Sequence, residues 1–210
     1  PFTLHQRILE WIDFETAEAR AGRPARIIAK MNSLIEPQVI EALYRASQDG
    51  VEIDLIVRGV CCLRPGVHGL SERIRVRSIL GRFLEHSRIF HFHAAGRERT
   101  FCSSADWMPR NFFNRVEACF PIDSPELKRR VIEEGLECSL RDNAQAWELD
   151  SAGDYHPVTT RGGESFSSHE KLLEKLASRE PTPLQRVRSP RDIWGPDASM
   201  GRIERAIRQT

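Results

Sequence analysis

Two stretches, residues 84–92 (LEHSRIFHF) and 101–111 (FCSSADWMPRN), carry the side chains of this sequence best suited to chemistry on a phosphate group. Side chains two apart in an extended strand share a face, so the spacing predicts that His86 and Arg88 point the same way. An imidazole titrates near 6.5 in water, so it can attack phosphorus or hand a proton to a leaving oxygen. A guanidinium beside it neutralises charge on the oxygens of a transferring phosphoryl group. A histidine in a strand is, taken alone, more often structural; Arg88 and the SSAD cluster tilt the reading toward a site. Ser103, Ser104 and Asp106 end the next predicted strand, where hydroxyls and backbone N–H groups make good anion donors, or else a plain turn with a helix cap. Asn111 and Arg115 follow at a distance that allows a return to the same rim. Arg58 closes the apolar run VEIDLIV just before Gly59, at the carboxyl edge where open α/β sheets place ligands. It is either a ligand clamp or a solvated strand end.

Two other features carry less. His91 and His93 alternate on the face opposite His86, and H-x-H spacing can hold a metal, but no third or fourth ligand pattern accompanies it, so solvent-facing or structural histidines are expected. Gly59 and Gly66 lie in a loop without a G-x-x-x-x-G-K-[ST] or G-x-G-x-x-G pattern, which excludes the usual nucleotide-loop fingerprints. A chain of this kind that handles nucleotide phosphates must cradle them with side chains.

The elements that position these residues can be read from periodicity. Leu4, Ile8, Trp11, Ile12 and Glu15 space a helix from Leu4 to Arg20, broken by Gly22-Arg23-Pro24. Arg26–Met31 is a short apolar strand, Pro37 opens a helix that ends at Asp49-Gly50, and Val51–Val57 is a buried strand. Strand, helix, strand at this spacing is a right-handed βαβ unit with a parallel pair. A short helix is expected near Ile74–Arg82. Strands follow at His86–His93 and Thr100–Ser104, joined by a hairpin turn at Gly96, then a strand at Val116–Pro121 and a helix from Pro125 to Leu140. The class is α/β, a mixed sheet flanked by helices. Beyond Arg141 a turn-rich loop (Tyr155–Gly163) and a helix (Ser165–Ala177) lead into a Pro-, Arg- and Ser-rich segment from Ser178, read as a flexible tail with a frayed helix at Gly201–Arg208.

Composition bounds the answer further. The 210 residues are 40% hydrophobic and 29% charged, enough for one sizeable core, with no apolar run long enough for a membrane helix and no secretory pattern at the first residues. The five cysteines include no C-x-x-C pair and read as small buried hydrophobes in a reducing compartment. Net charge is +1, yet between Arg58 and Arg115 stand eleven arginines, no lysine and four acids, a local excess of +7. A charge run is usually a solvated face, but guanidinium forks bind phosphate oxygens bidentately, and an arginine-only run suggests a polyanion.

The segments KMNSLIEPQVIEALYRAS, DLIVRGVCCLRPGV, FLEHSRIFHF and SSADWMPRNFFNRVE, in this order, resemble the last domain of the bacterial polyphosphate kinases. The resemblance runs from Pro1 to about Ala177. It implies a phospholipase-D-like domain over residues 21–177, preceded by a helix (1–20) linking to an upstream domain, with 178–210 as a tail outside the resemblance. It implies reversible transfer of the terminal phosphate of ATP to inorganic polyphosphate through a phosphohistidine, the phosphorylated histidine lying in an upstream domain that these residues do not match. His86 matches the second family histidine, an acid and base, and Arg58 an arginine that binds nucleotide phosphates. Arg88, Ser104, Asp106 and Arg115 match the polar shell around them. Mg²⁺ arrives with ATP rather than in a carboxylate cage of this chain; the partners are ATP or ADP, polyphosphate and the upstream domains, in a homo-oligomer. The compartment implied is the cytoplasm, with peripheral membrane association left open. Two other readings remain: a stand-alone phospholipase-D-like phosphodiesterase pairing two His86 residues across a twofold axis, and a non-catalytic polyphosphate-binding module.

Overall fold

The computed structural model describes residues 3–159 and 163–178. Apart from Ser178, the segment assigned from sequence to a flexible tail lies outside the described residues. The elements run α1 (Leu4–Arg20), β1 (Ala25–Met31), α2 (Pro37–Gln48), β2 (Glu52–Val57), β3 (Ile74–Ile79), β4 (Ile89–Ala94), β5 (Arg97–Ser103), α3 (Pro109–Phe113), β6 (Cys119–Pro121), α4 (Pro125–Arg130), a π-helical segment (Val131–Glu137), α5 (Cys138–Arg141), β7 (Ala146–Leu149), β8 (Tyr155–Pro157) and α6 (Ser168–Ala177). One compact unit runs to Glu174, and a second begins at Lys175 within the last turns of α6.

The eight described strands form one sheet in the order β6-β5-β4-β1-β2-β3-β7-β8. β1 pairs in parallel with β2, and β2 with β3; the other neighbours are antiparallel. The mixed α/β class is therefore as expected. β1 and β2 are buried along nearly their whole length because helices cover both faces. On one face Ile8 and Ile12 of α1 and Val39 and Leu43 of α2 join Ile27, Ile53, Phe90 and Phe92 in the larger core. On the other, Leu136 of the π segment, with Val131 and Leu140 beside it, covers Ile28, Ile56, Ile79 and Ile89. The first helix is part of the larger core: Trp11 stacks on Phe101 with ring centroids 4.0 Å apart.

α2 starts where Pro37 predicts, capped by the Glu36 carboxylate, which accepts from the Val39 N–H at 2.7 Å. Four expectations change. The helix expected near Ile74–Arg82 is a strand, since Ile74 and Val76 alternate with Arg75 and Arg77 at period two and complete the parallel set. β4 begins at Ile89, so His86 and Arg88 occupy the loop before it rather than one strand face. β7 and β8, short and largely polar, extend the sheet where only a loop was expected. The helix from Pro125 carries a π segment in its middle. All five cysteines are free, and Cys138 is buried as expected, whereas Cys62 is exposed.

Glu15 sat on the apolar stripe of the first helix, and it is fully buried, facing Arg99 at 3.6 Å. Burial pushes its carboxyl up to about 7, against the attraction of Arg99. The folded chain therefore keeps a proton that the unfolded chain releases near 4.5, so this group's contribution to stability falls as pH rises from about 4.5 to about 7. Glu15→Gln should remove that slope, which urea titrations of both proteins between pH 4.5 and 8 would show.

Candidate active site

The topology brings the chemical residues to one edge of the sheet. β1, β2 and β3 all end there, β5 ends there from the opposite direction of pairing, and β4 begins there. Asn32 follows β1, Arg58 follows β2, residues 80–88 link β3 toward β4, and Ser104 and Asp106 follow β5. Leu34 bridges to both Cys61 and Trp107, and the N–H groups of Ile35 and Glu36 donate to the Trp107 carbonyl. These contacts tie the three loops together beside β1, the strand at which the sheet changes from parallel to antiparallel. Ligands of open α/β sheets gather at such a place.

A continuous polar chain crosses this edge. Arg58 Nε donates to Asn32 Oδ1 at 2.9 Å, and Asn32 Nδ2 donates to Asp106 Oδ1 at 3.0 Å. The backbone N–H of Asn32 donates to the same oxygen at 2.6 Å. Arg88 grips Asp106 with both Nε and Nη2, each at 3.1 Å. Burial by itself would raise the Asp106 carboxyl, but the hydrogen bonds from Arg88 and Asn32 outweigh it and hold the group below the usual carboxylate range. Asp106 is thus buried, and both of its carboxylate oxygens are engaged, by Arg88 and Asn32. Arg88 Nη1 donates to the carbonyl of His86 at 3.1 Å, so this chain reaches the histidine's own backbone.

His86 is held from its other side as well. Its neighbour Glu85 pairs with the buried Lys30 of β1 and accepts from His169 Nε2 at 2.7 Å. His169 Nδ1 takes the Phe83 N–H at 3.3 Å, so its ring proton is on Nε2, directed at Glu85. Lys30 also donates to Ser139 Oγ at 3.0 Å and to the Gly135 carbonyl at 3.2 Å, which lies in the π segment. Desolvation would raise Glu85, yet the charge and hydrogen bond of Lys30 and the bond from His169 hold it below its ordinary value. The loop is clamped on both sides of His86, and the residue itself is exposed.

The rest of the rim is Ser104, Glu117, Asn111 and Arg115. Glu117 accepts from the Ser104 hydroxyl and the Asn111 amide, and the Ala118 N–H donates to Ser104 Oγ at 3.0 Å. Asn111 is buried; Ser104 and Arg115 are exposed. Of the sequence-based candidates, Arg58, Arg88, Asp106 and the His86 backbone are joined by one polar chain, and Ser104 follows β5 at the same edge; His86, Ser104 and Arg115 are exposed, Arg58 is half-exposed, and among the described residues no contact ties Arg115 to the others. Asn32, Lys30, Glu85, Glu117 and His169 were not foreseen. Asn32 carried a usable signal, since it ends an apolar strand as Arg58 does. The partners of Glu85 lie far from it along the chain and carried none.

The arginine run does not form one continuous cationic surface. Arg73 and Arg75 pair with Glu52 and Asp54, Arg77 with Glu148, and Arg99 with Glu15. Arg64 donates to the Ser151 carbonyl. Four of these arginines are thus spent on acids from elsewhere in the chain; Arg82, in the loop that carries His86, and Arg115 are exposed, and Arg58 is half-exposed.

The fold is a mixed α/β sheet with an exposed imidazole on a doubly clamped loop at one edge. A family model described as polyphosphate kinase C-terminal domain 2 matches residues 1–169. The chain is 63% identical over 165 residues to a polyphosphate kinase of Neisseria meningitidis serogroup C, covering 79% of this chain and 24% of that protein. It is 64% identical over 179 residues to one from Burkholderia multivorans, covering 85% and 26%. The crystal structure of polyphosphate kinase from Porphyromonas gingivalis superposes with a TM-score of 0.79 at 40% identity, over 83% of this chain and 27% of that one. The chain belongs to the polyphosphate kinase family and spans about a quarter of the length of the curated relatives it matches.

Glu85→Gln leaves the Lys30 ammonium buried without its counter-charge, a change that costs about 3–5 kcal/mol in comparable sites. Urea denaturation should show a loss of that order, with earlier proteolysis within residues 80–88; Lys30→Met in the same chain should restore part of it.

Proposed function

We propose that this chain is the C-terminal catalytic part of an ATP:polyphosphate phosphotransferase, with His86 as its acid and base. The observation that carries the reading is the exposed His86, held between the Glu85 and Arg88 anchors, with Arg58 linked to the same polar chain through Asn32. Family membership supports the substrate class.

Phosphoryl transfer demands positioning and charge neutralisation more than covalent chemistry from the surrounding groups. Arg58 and Arg115 steady the phosphate oxygens, and the Ser104 hydroxyl adds a donor beside them. As the bond from the terminal phosphorus to the bridging oxygen breaks, His86 gives its proton to that departing oxygen. In the second half of the reaction His86 takes the proton back as the acceptor oxygen of polyphosphate bonds to phosphorus. The covalent phosphohistidine belongs to an upstream segment of the whole enzyme, working in the cytoplasm as a homo-oligomer.

One feature supports a site that is completed by another surface. Val60, Leu84 and Val116, each within two residues of Arg58, His86 or Arg115, are exposed at 60%, 70% and 86%. Apolar side chains interleaved with the charged rim are what a docking face requires. Among the described residues no helix is long and apolar enough to cross a membrane. Magnesium does not fit as a resident of this edge: Asp106 is saturated by Arg88 and Asn32, and Glu117 by Ser104 and Asn111. The ion arrives on the nucleotide phosphates.

Labelled ATP and polyphosphate, incubated with this chain alone and then with a separately expressed N-terminal part of a family member, test the reading. Transfer should appear only in the mixture and fall about 10²–10⁴-fold with His86→Ala. Transfer by the chain alone would overturn the half-site, and full activity with His86→Ala would remove His86 from the chemistry.

A further inference from the structure

The H-x-H pair in β4 lacks a third ligand along the sequence, but the fold supplies one. In the β4–β5 hairpin Thr100 stands opposite His91 and Glu98 opposite His93. Directly paired residues share a face with Cβ atoms about 4.5–5.5 Å apart. The four side chains therefore make a two-by-two block on the sheet face opposite Phe90 and Phe92. One ring nitrogen of each histidine and one carboxylate oxygen of Glu98 lie within 4.8 Å of one another.

The block has the parts a metal centre needs. His91 is 4% exposed, and its Nδ1 lies 2.9 Å from Thr100 Oγ1, which fixes the ring as a supporting hydrogen bond does for a ligating histidine. His93 and Glu98 are exposed, which opens the block to solvent and leaves coordination positions for water. Two cations face it, and both are engaged: Arg26 Nη2 pairs with Asp54 at 2.9 Å, and Lys128 Nζ donates to the Glu98 carbonyl at 3.1 Å. The block lies toward the turn of the hairpin, whereas His86 and Ser104 lie at its open end.

We propose that His91, His93 and Glu98 bind a divalent transition ion of the zinc type, which clips the turn end of the β4–β5 hairpin. Two imidazoles and one carboxylate suit zinc, cobalt or nickel, and not the oxygen-seeking magnesium that accompanies nucleotides. This site is independent of the proposed phosphotransfer.

Competition with a chromophoric chelator, using Zn²⁺ and the 210-residue chain at neutral pH, reads the site directly. One ion per chain is expected, with a higher melting temperature and weaker binding on acidification. His93→Ala and Glu98→Ala, both at exposed positions, should each weaken binding at least tenfold, as about 10–100-fold follows from loss of even a supporting contact. His68→Ala, His156→Ala and Cys62→Ser alter other exposed ligand types and should leave the constant unchanged. Absence of binding, or binding that survives both His93→Ala and Glu98→Ala, would overturn the proposal.

Discussion

The Arg88–Asp106 pair organises the site more than any other contact. Its bidentate geometry joins the loop before β4 to the loop after β5, and the Asn32 bonds extend it across β1 to Arg58 at the end of β2. Asn32 and Arg88 thus share one buried carboxylate, and Arg58 is linked to it through Asn32. A fully hydrogen-bonded polar network in a low-dielectric setting is rigid, because loosening any member leaves the others unsatisfied. Half-exposed Arg58, through its Nε, and exposed His86, through its backbone, are held by the same network.

The second anchor, through Lys30, Glu85 and His169, reaches in the other direction. It joins the centre of the sheet, the loop carrying His86 and the start of α6, and the π segment contributes the Gly135 carbonyl to Lys30. π-helical turns inside α-helices often accompany functional sites, and here the carbonyl it presents has a defined task. Between the two anchors His86 has little freedom in its main chain. A catalytic imidazole depends on such restraint, since small displacements cost large factors in rate.

Electrostatics divide along the same lines. The arginines of β3 and β5 neutralise Glu52, Asp54, Glu148 and Glu15, so they secure strands to their neighbours. Arg58, by contrast, donates to the Asn32 side chain at the sheet edge, and Arg82 and Arg115 are exposed. A count of charge along the chain could not separate these two populations, because each arginine's partner is contributed by a different element.

The sequence by itself determined the α/β class, the α1 and α2 helices, the β1–α2–β2 unit and the residue types of the rim, because these depend on local periodicity, caps and short motifs. It also held the β3 alternation of Ile74 and Val76, which a helical reading overlooked. Short β7 and β8 strands carried too little pattern to be read. Only the tertiary structure decided that Asp106 is buried against Arg88 and Asn32, that Lys30 and His169 hold Glu85, and that Glu98 joins His91 and His93. Those outcomes rest on pairing across strands and on burial, and both arise from contacts between residues far apart along the chain.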